Sequence, residues 1–171
     1  FIEHDFFFFF EREFHMDEFP TEEELWERYC ASKKFLPTQE KIILTPDYYD
    51  TVKEITPRYY QRIAIDSVIQ AVAKGQKRLL LVMATGTGKT FTAFQIVWKL
   101  LKSNVVSRVF YLADRNILID QTMAQDFKPL EKVMCKIRNK KLDSSYQVFM
   151  SLYHQLAGEE GDEPFRQFKP E

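Results

Sequence analysis

The stretch Leu79–Thr90, LLLVMATGTGKT, decides how this chain is read. Its first half, Leu79 to Ala84, is apolar without alternation, which predicts a strand covered on both faces, as in a parallel sheet. Its second half turns abruptly to Thr85, Gly86, Thr87, Gly88, Lys89 and Thr90. Glycines at 86 and 88 let the backbone curl with its N–H groups inward, because a residue without a Cβ adopts positive φ and lets an anion approach. Lys89 and Thr90 fall where a helix should begin. There the unpaired N–H groups and the positive end of the helix dipole favour phosphate, the lysine ammonium reaches terminal phosphates, and the threonine hydroxyl can ligate Mg2+. The strict phosphate-loop pattern would place a glycine at position 83, where this chain has Met83. The competing reading is a plain glycine turn between strand and helix.

Upstream, the pattern after Pro57 is helical: Tyr60, Ile63, Ala64, Ser67, Val68, Ala71 and Val72 share one predicted face, and Gly75 is placed to end the helix. This helix carries Gln61, whose amide both donates and accepts and so can read an adenine edge. Taken alone, Gln61 is an ordinary solvated polar residue. Earlier still, Thr21 with Glu24 forms a capping box over the helix TEEELWERYCASKK, with Leu25, Trp26 and Tyr29 as an apolar stripe that docks on a neighbouring surface. Leu36 to Pro57 holds three prolines and reads as an extended surface connector.

Downstream, KTFTAFQIVWKLLK is an amphipathic helix with Phe94, Val97, Trp98 and Leu101 inward, and Arg108 to Ala113 is a second buried strand. Strand, loop, helix and strand predict a right-handed βαβ unit. At the end of that second strand stand Asp114, Arg115 and Asn116, then a helix to about Asp126. Two readings remain open there: a helix N-cap by Asp114 or Asn116 with an ion pair to Arg115, or contact with a DNA phosphate. The run from Lys128 to Lys141 is basic and loop-like around the short strand VMCKI; Tyr146 to Met150 is a further strand, and Ser151 is expected to cap a helix reaching Leu156. The tail after Leu156 is an acidic surface loop.

Composition narrows the class. A chain of 171 residues with 45% hydrophobic content builds a globular core. Lys and Arg number 24 against 25 Asp and Glu, so any nucleic-acid contact must come from a local patch and not from a global basic field. Cys30 and Cys135 are too few for a disulfide framework or zinc site, which fits a cytoplasmic protein with reduced thiols. FIEHDFFFFF contains Glu3, His4 and Asp5 and lacks a basic start, so it is read as neither signal peptide nor membrane span, and Phe6 to Phe10 is given no function.

The order of TEEELWERY, TPRYYQRIAI, GQKRLLLVMATGTGKTFTAFQIVWKL, VFYLADRNILIDQT and QVFMSLYHQL resembles the motor portion of the restriction subunit of type I restriction-modification enzymes, within the superfamily 2 helicases and translocases. The resemblance implies an α/β fold, a RecA-like phosphate-loop NTPase with a parallel sheet flanked by helices, truncated within its first motor domain. It implies three regions: 1–19 as the remnant of a preceding segment, 20–56 as a linker helix and connector, and 57–171 as the ATP-binding domain. It further implies that Arg58, Tyr59 and Gln61 belong to an adenine-reading Q motif, that Thr85, Gly86, Thr87, Gly88, Lys89 and Thr90 hold ATP, with Thr90 on Mg2+, and that Asp114, Arg115 and Gln121 touch DNA. The implied partners are double-stranded DNA and the methylation and specificity subunits, with no membrane. The family's Asp-Glu pair and nuclease do not match here: no glutamate has a lysine two positions on. The chain alone is therefore expected to bind ATP but turn it over poorly. Two other readings stand beside this one, a different superfamily 2 helicase and a nucleotide-binding module that does not translocate.

Overall fold

The computed structural model describes residue 15 and residues 19–37, 39, 48–49, 56–137 and 143–153. The chain divides into two compact units, Phe1–Leu36 and Pro37–Glu171. The first is built on α1, Glu22–Lys33, and the expected capping box is present. The Thr21 hydroxyl accepts from the Glu24 amide and the Glu24 carboxylate accepts from the Thr21 amide, both at 3.3 Å. Trp26 and Tyr29 stack one turn apart with ring centroids 5.6 Å apart, and Cys30 is the buried residue of the helix. The Phe6–Phe10 run and the acidic tail lie outside the described residues.

The second unit is a parallel sheet with helices on it. In chain order come α2 (Tyr59–Ala73), α3 (Lys89–Lys102), β1 (Val109–Ala113), α4 (Asn116–Ala124), a 3₁₀ helix (Lys128–Val133), β2 (Met134–Lys136) and β3 (Val148–Leu152). The strands run in the order β1-β3-β2, all parallel, with Val109 opposite Val148 and Met134 opposite Val148 on the other side. Central β3 is buried along its whole length. Val148, Met150 and Leu152 face a core with Phe94, Ile119, Phe127, Leu130 and Met134, while Phe149 faces Ile137 and Phe110 on the other side. Both faces being covered is what a strand with apolar side chains on each face requires.

Several expectations are corrected. Leu79 to Ala84 is no strand: no described residue pairs with it, and it is open to solvent. Leu80 and Val82 are 90% and 83% exposed, whereas Leu79 and Leu81 are near half that at 42% and 40%. This alternation is that of an extended backbone without a neighbour. A strand is stabilised by ladder bonds and cross-strand contacts, and an apolar run alone supplies neither. The predicted βαβ unit across α3 is consequently not formed, and the parallel crossover instead runs from β1 through α4 to β2 and β3.

Helix α2 forms where expected, but its buried stripe is Gln61, Ile65, Ile69 and Ala73, and Ile63 stays 59% exposed. The helix has turned toward a polar residue, Gln61, that is held by hydrogen bonds and so occupies the inner face. Its end is a Schellman motif: Gly75 at φ 79°, with Gln76 N–H donating to Ala71 and Gly75 N–H to Val72. Helix α3 buries Phe94 with Val97, Trp98 and Leu101 packed beside it, as expected, and on its opposite side Thr92, Gln95 and Lys99 are buried as well. Gln95 explains part of this, since its carbonyl accepts from the Tyr49 amide (2.8 Å) and its amide donates to the Tyr49 carbonyl (3.0 Å). The Tyr49 ring then packs edge-on against Phe94 and Trp98. Beside it, the Tyr48 hydroxyl donates to Asp66, and burial with that carboxylate pushes its pKa up.

Neither Asp114 nor Asn116 caps α4; Arg115 occupies the cap position and no side chain bonds the helix amides. The expected ion pair is there, Arg115 Nε to Asp114 Oδ2 at 3.6 Å. Ser151 is no helix cap either. It lies inside β3 opposite Leu112, fully buried, with its hydroxyl donating to the Leu152 carbonyl.

Candidate nucleotide-binding site

The phosphate-loop residues sit between the exposed run and α3. Gly86 and Gly88 have φ of 78° and 79°, the left-handed region that favours glycine, and Gly88 is the residue from which α3 starts. The first helical bond is Thr92 N–H to the Gly88 carbonyl at 2.9 Å, which leaves the amides of Lys89, Thr90 and Phe91 at the open helix end. The loop is closed on itself: the Thr87 hydroxyl donates to the Ala84 carbonyl (2.7 Å), and Lys89 Nζ donates to the Ala84 and Met83 carbonyls (3.2 and 3.4 Å).

Gln61 reaches this loop from α2. Its amide nitrogen donates to the Thr87 carbonyl at 2.9 Å while its oxygen accepts from the Arg58 amide at 2.9 Å. The same nitrogen lies 2.5 Å from where a Cβ on Gly88 would stand, so a side chain there would displace the Gln61 amide in addition to the strain of its positive φ. Among the described residues each amide atom keeps one further place, an N–H and a lone pair. Tyr60, a residue the sequence reading did not single out for the site, adds a hydroxyl to the Thr87 carbonyl at 3.3 Å. The preceding tyrosine, Tyr59, points outward at 77% exposure.

A cavity of about 960 Å³ opens beside the loop, within the range of small-ligand sites. Arg58, Gln61, Gly86, Thr87 and Gly88 line it together; Tyr59, Thr85, Lys89 and Thr90 do not. Its far wall comes from the turn after α4, with Gln125, Asp126 and Glu131, and Tyr49 closes another side. Among the described residues no group of three or more His, Cys, Asp or Glu is arranged to hold a metal. Asp114 and Arg115 follow the carboxyl end of β1, and Gln121 lies in the second half of α4; all three are exposed and none lines that cavity. The strand-end position is where ligands gather in open parallel sheets, and Arg115 is paired there with Asp114.

Parallel sheet, flanking helices and a glycine-lysine-threonine loop at a helix start define a phosphate-loop α/β protein of RecA-like type. The chain belongs to the family described as "Type III restriction enzyme, res subunit", whose profile matches residues 54–169. It is 46% identical over 162 residues to the type I restriction enzyme EcoAI endonuclease subunit of Escherichia coli, which covers 94% of this chain and 20% of that protein. The EcoKI endonuclease subunit of E. coli K12 is 43% identical over 72 residues, 42% of this chain and 6% of that protein. UvrABC system protein B of Bacillus cereus is 33% identical over 58 residues, 34% of this chain and 9% of that protein. The chain thus spans about a fifth of the length of the EcoAI relative. No solved structure matches. Among the described residues, no helix is long and apolar enough to cross a membrane.

Proposed function

We propose that this chain is the ATP-binding part of the DNA-translocating motor of a type I restriction endonuclease subunit. The observation that carries the reading is the loop itself: two glycines at positive φ turn the chain into the open amino end of α3, where Gly86, Thr87 and Gly88 line a cavity of nucleotide size and Lys89 follows directly. Lys89 would neutralise the terminal phosphates, and the Thr90 hydroxyl would hold Mg2+ together with phosphate oxygens. Bound Mg2+ would screen the charge that develops on the transferred phosphoryl group. Gln61 would fix the loop through Thr87 and use its remaining N–H and lone pair, with Arg58, on the adenine edge. Arg115 and Gln121 would meet the backbone of duplex DNA, with Asp114 holding the Arg115 side chain in place, while site choice and methylation would rest with partner subunits in the cytoplasm.

Titration of the 171-residue chain with a fluorescent ATP analogue tests the reading. Lys89→Ala should weaken binding by about 2 kcal/mol or more, the scale of a charge-assisted contact to phosphate. Equal affinity in the two proteins would refute the phosphate-loop assignment.

A further inference from the structure

Asp126 is a carboxylate with no assigned work. It sits in the turn after α4, half-buried, on the cavity wall that it shares with Gln125 and Glu131. Among the described residues it has no hydrogen bond or ion pair, although it stands just past a helix carboxyl end, where negative charge is unfavourable. Burial raises its pKa; Lys128 lines the same cavity wall but forms no ion pair with it among the described residues. A desolvated carboxylate facing a cavity accepts hydrogen bonds and donates none when ionised, so it repels phosphate and attracts hydroxyl or amine donors.

We propose that Asp126 accepts from the ribose hydroxyls of the nucleotide held at the phosphate loop and so determines sugar specificity at that site. The proposal rests on the nucleotide reading given above and deepens it. ATP presents two kinds of donor, the adenine amine and the ribose hydroxyls. On the α2 side, Arg58 and Gln61 combine donors and an acceptor, which suits the mixed edge of a base. The Asp126 wall offers an acceptor-only group with two oxygens, which suits a pair of adjacent hydroxyls. Phosphates at Gly86–Gly88, base toward α2 and sugar toward Asp126 accounts for three sides of one cavity.

Calorimetric titrations of the full 171-residue chain with ATP, 2′-deoxy-ATP and GTP test this, using wild type, Asp126→Ala and Asp126→Asn. Wild type should prefer ATP over 2′-deoxy-ATP by about tenfold, the scale of one hydrogen bond to a charged acceptor. Asp126→Ala should bring that ratio close to one by weakening ATP, and Asp126→Asn, which keeps one acceptor oxygen and the side-chain shape, should give an intermediate value. If the alanine variant does not fold, the asparagine variant alone decides. A ratio unchanged by substitution, or near one in wild type, overturns the assignment. So does a change confined to the ATP-to-GTP ratio, which would place the base at Asp126. Failure of the nucleotide reading shows itself separately, as ATP binding that survives Lys89→Ala, and the sugar assignment falls with it.

Discussion

Gly88→Ala is the substitution for which the structure gives the most definite energetics. A side chain at φ 79° costs about 1–2 kcal/mol, because an L-residue in the left-handed region brings its Cβ against the following carbonyl. The new Cβ would also stand 2.5 Å from the Gln61 amide nitrogen, which must withdraw and surrender its bond to the Thr87 carbonyl, worth about 1 kcal/mol. No other atom lies closer than 3.8 Å, so the clash is with this one group. Together Gly88→Ala should destabilise the chain by about 2–3 kcal/mol. In a Gln61→Ala background the clash is absent and only the backbone share of about 1–2 kcal/mol should remain. Urea unfolding of the four proteins in this double-mutant cycle should therefore show a coupling of about 1 kcal/mol. Strict additivity would refute the claim that Gln61 and the loop are in direct contact.

Phe94→Ala should cost about 3–5 kcal/mol in the same urea assay, since the ring is 1% exposed and packs edge-on with both Tyr49 and Phe127; a loss under about 1 kcal/mol would show that α3 is not anchored there. Asp126→Asn should stabilise the unliganded chain at neutral pH. A carboxyl whose pKa is raised on folding disfavours the folded state wherever it is ionised, and that penalty fades as pH falls through its folded pKa toward the ordinary aspartate range. Denaturant midpoints of the two proteins should converge with acidification, and a constant gap would refute the burial argument.

Local signals were legible where the chemistry is short-range. Thr21 and Glu24 announce a helix start, Gly75 its end, and the Gly86–Thr90 sequence a loop at a helix N-terminus, because each uses neighbours within a few residues. The burial of Gln61, Gln95 and Lys99 was not legible, since their partners come from distant positions and polar residues carry no periodic signal for the interior. For the same reason the inner face of α2 was misplaced. Two largely apolar runs, Leu79–Ala84 and Val148–Leu152, look alike in sequence, yet among the described residues only the second is flanked by strands on both sides. Periodicity reports that a run can be buried; which run is buried depends on what pairs with it. Asp126 carried no sequence signal, as one aspartate in a turn is indistinguishable from a solvated one.

The open Leu79–Val82 run also governs how this chain behaves at high concentration. Leucine and valine side chains on an extended backbone that pairs with no strand among the described residues form a surface onto which a second chain can add edge to edge. Lys77 and Arg78 directly precede the run. Two copies stacked in register would bring four cationic groups side by side, and that repulsion acts as the gatekeeper of solubility. Because salt shortens the range of such repulsion to within about 10 Å at ordinary ionic strength, the colloidal stability of the chain is tied to the ionic strength of its buffer.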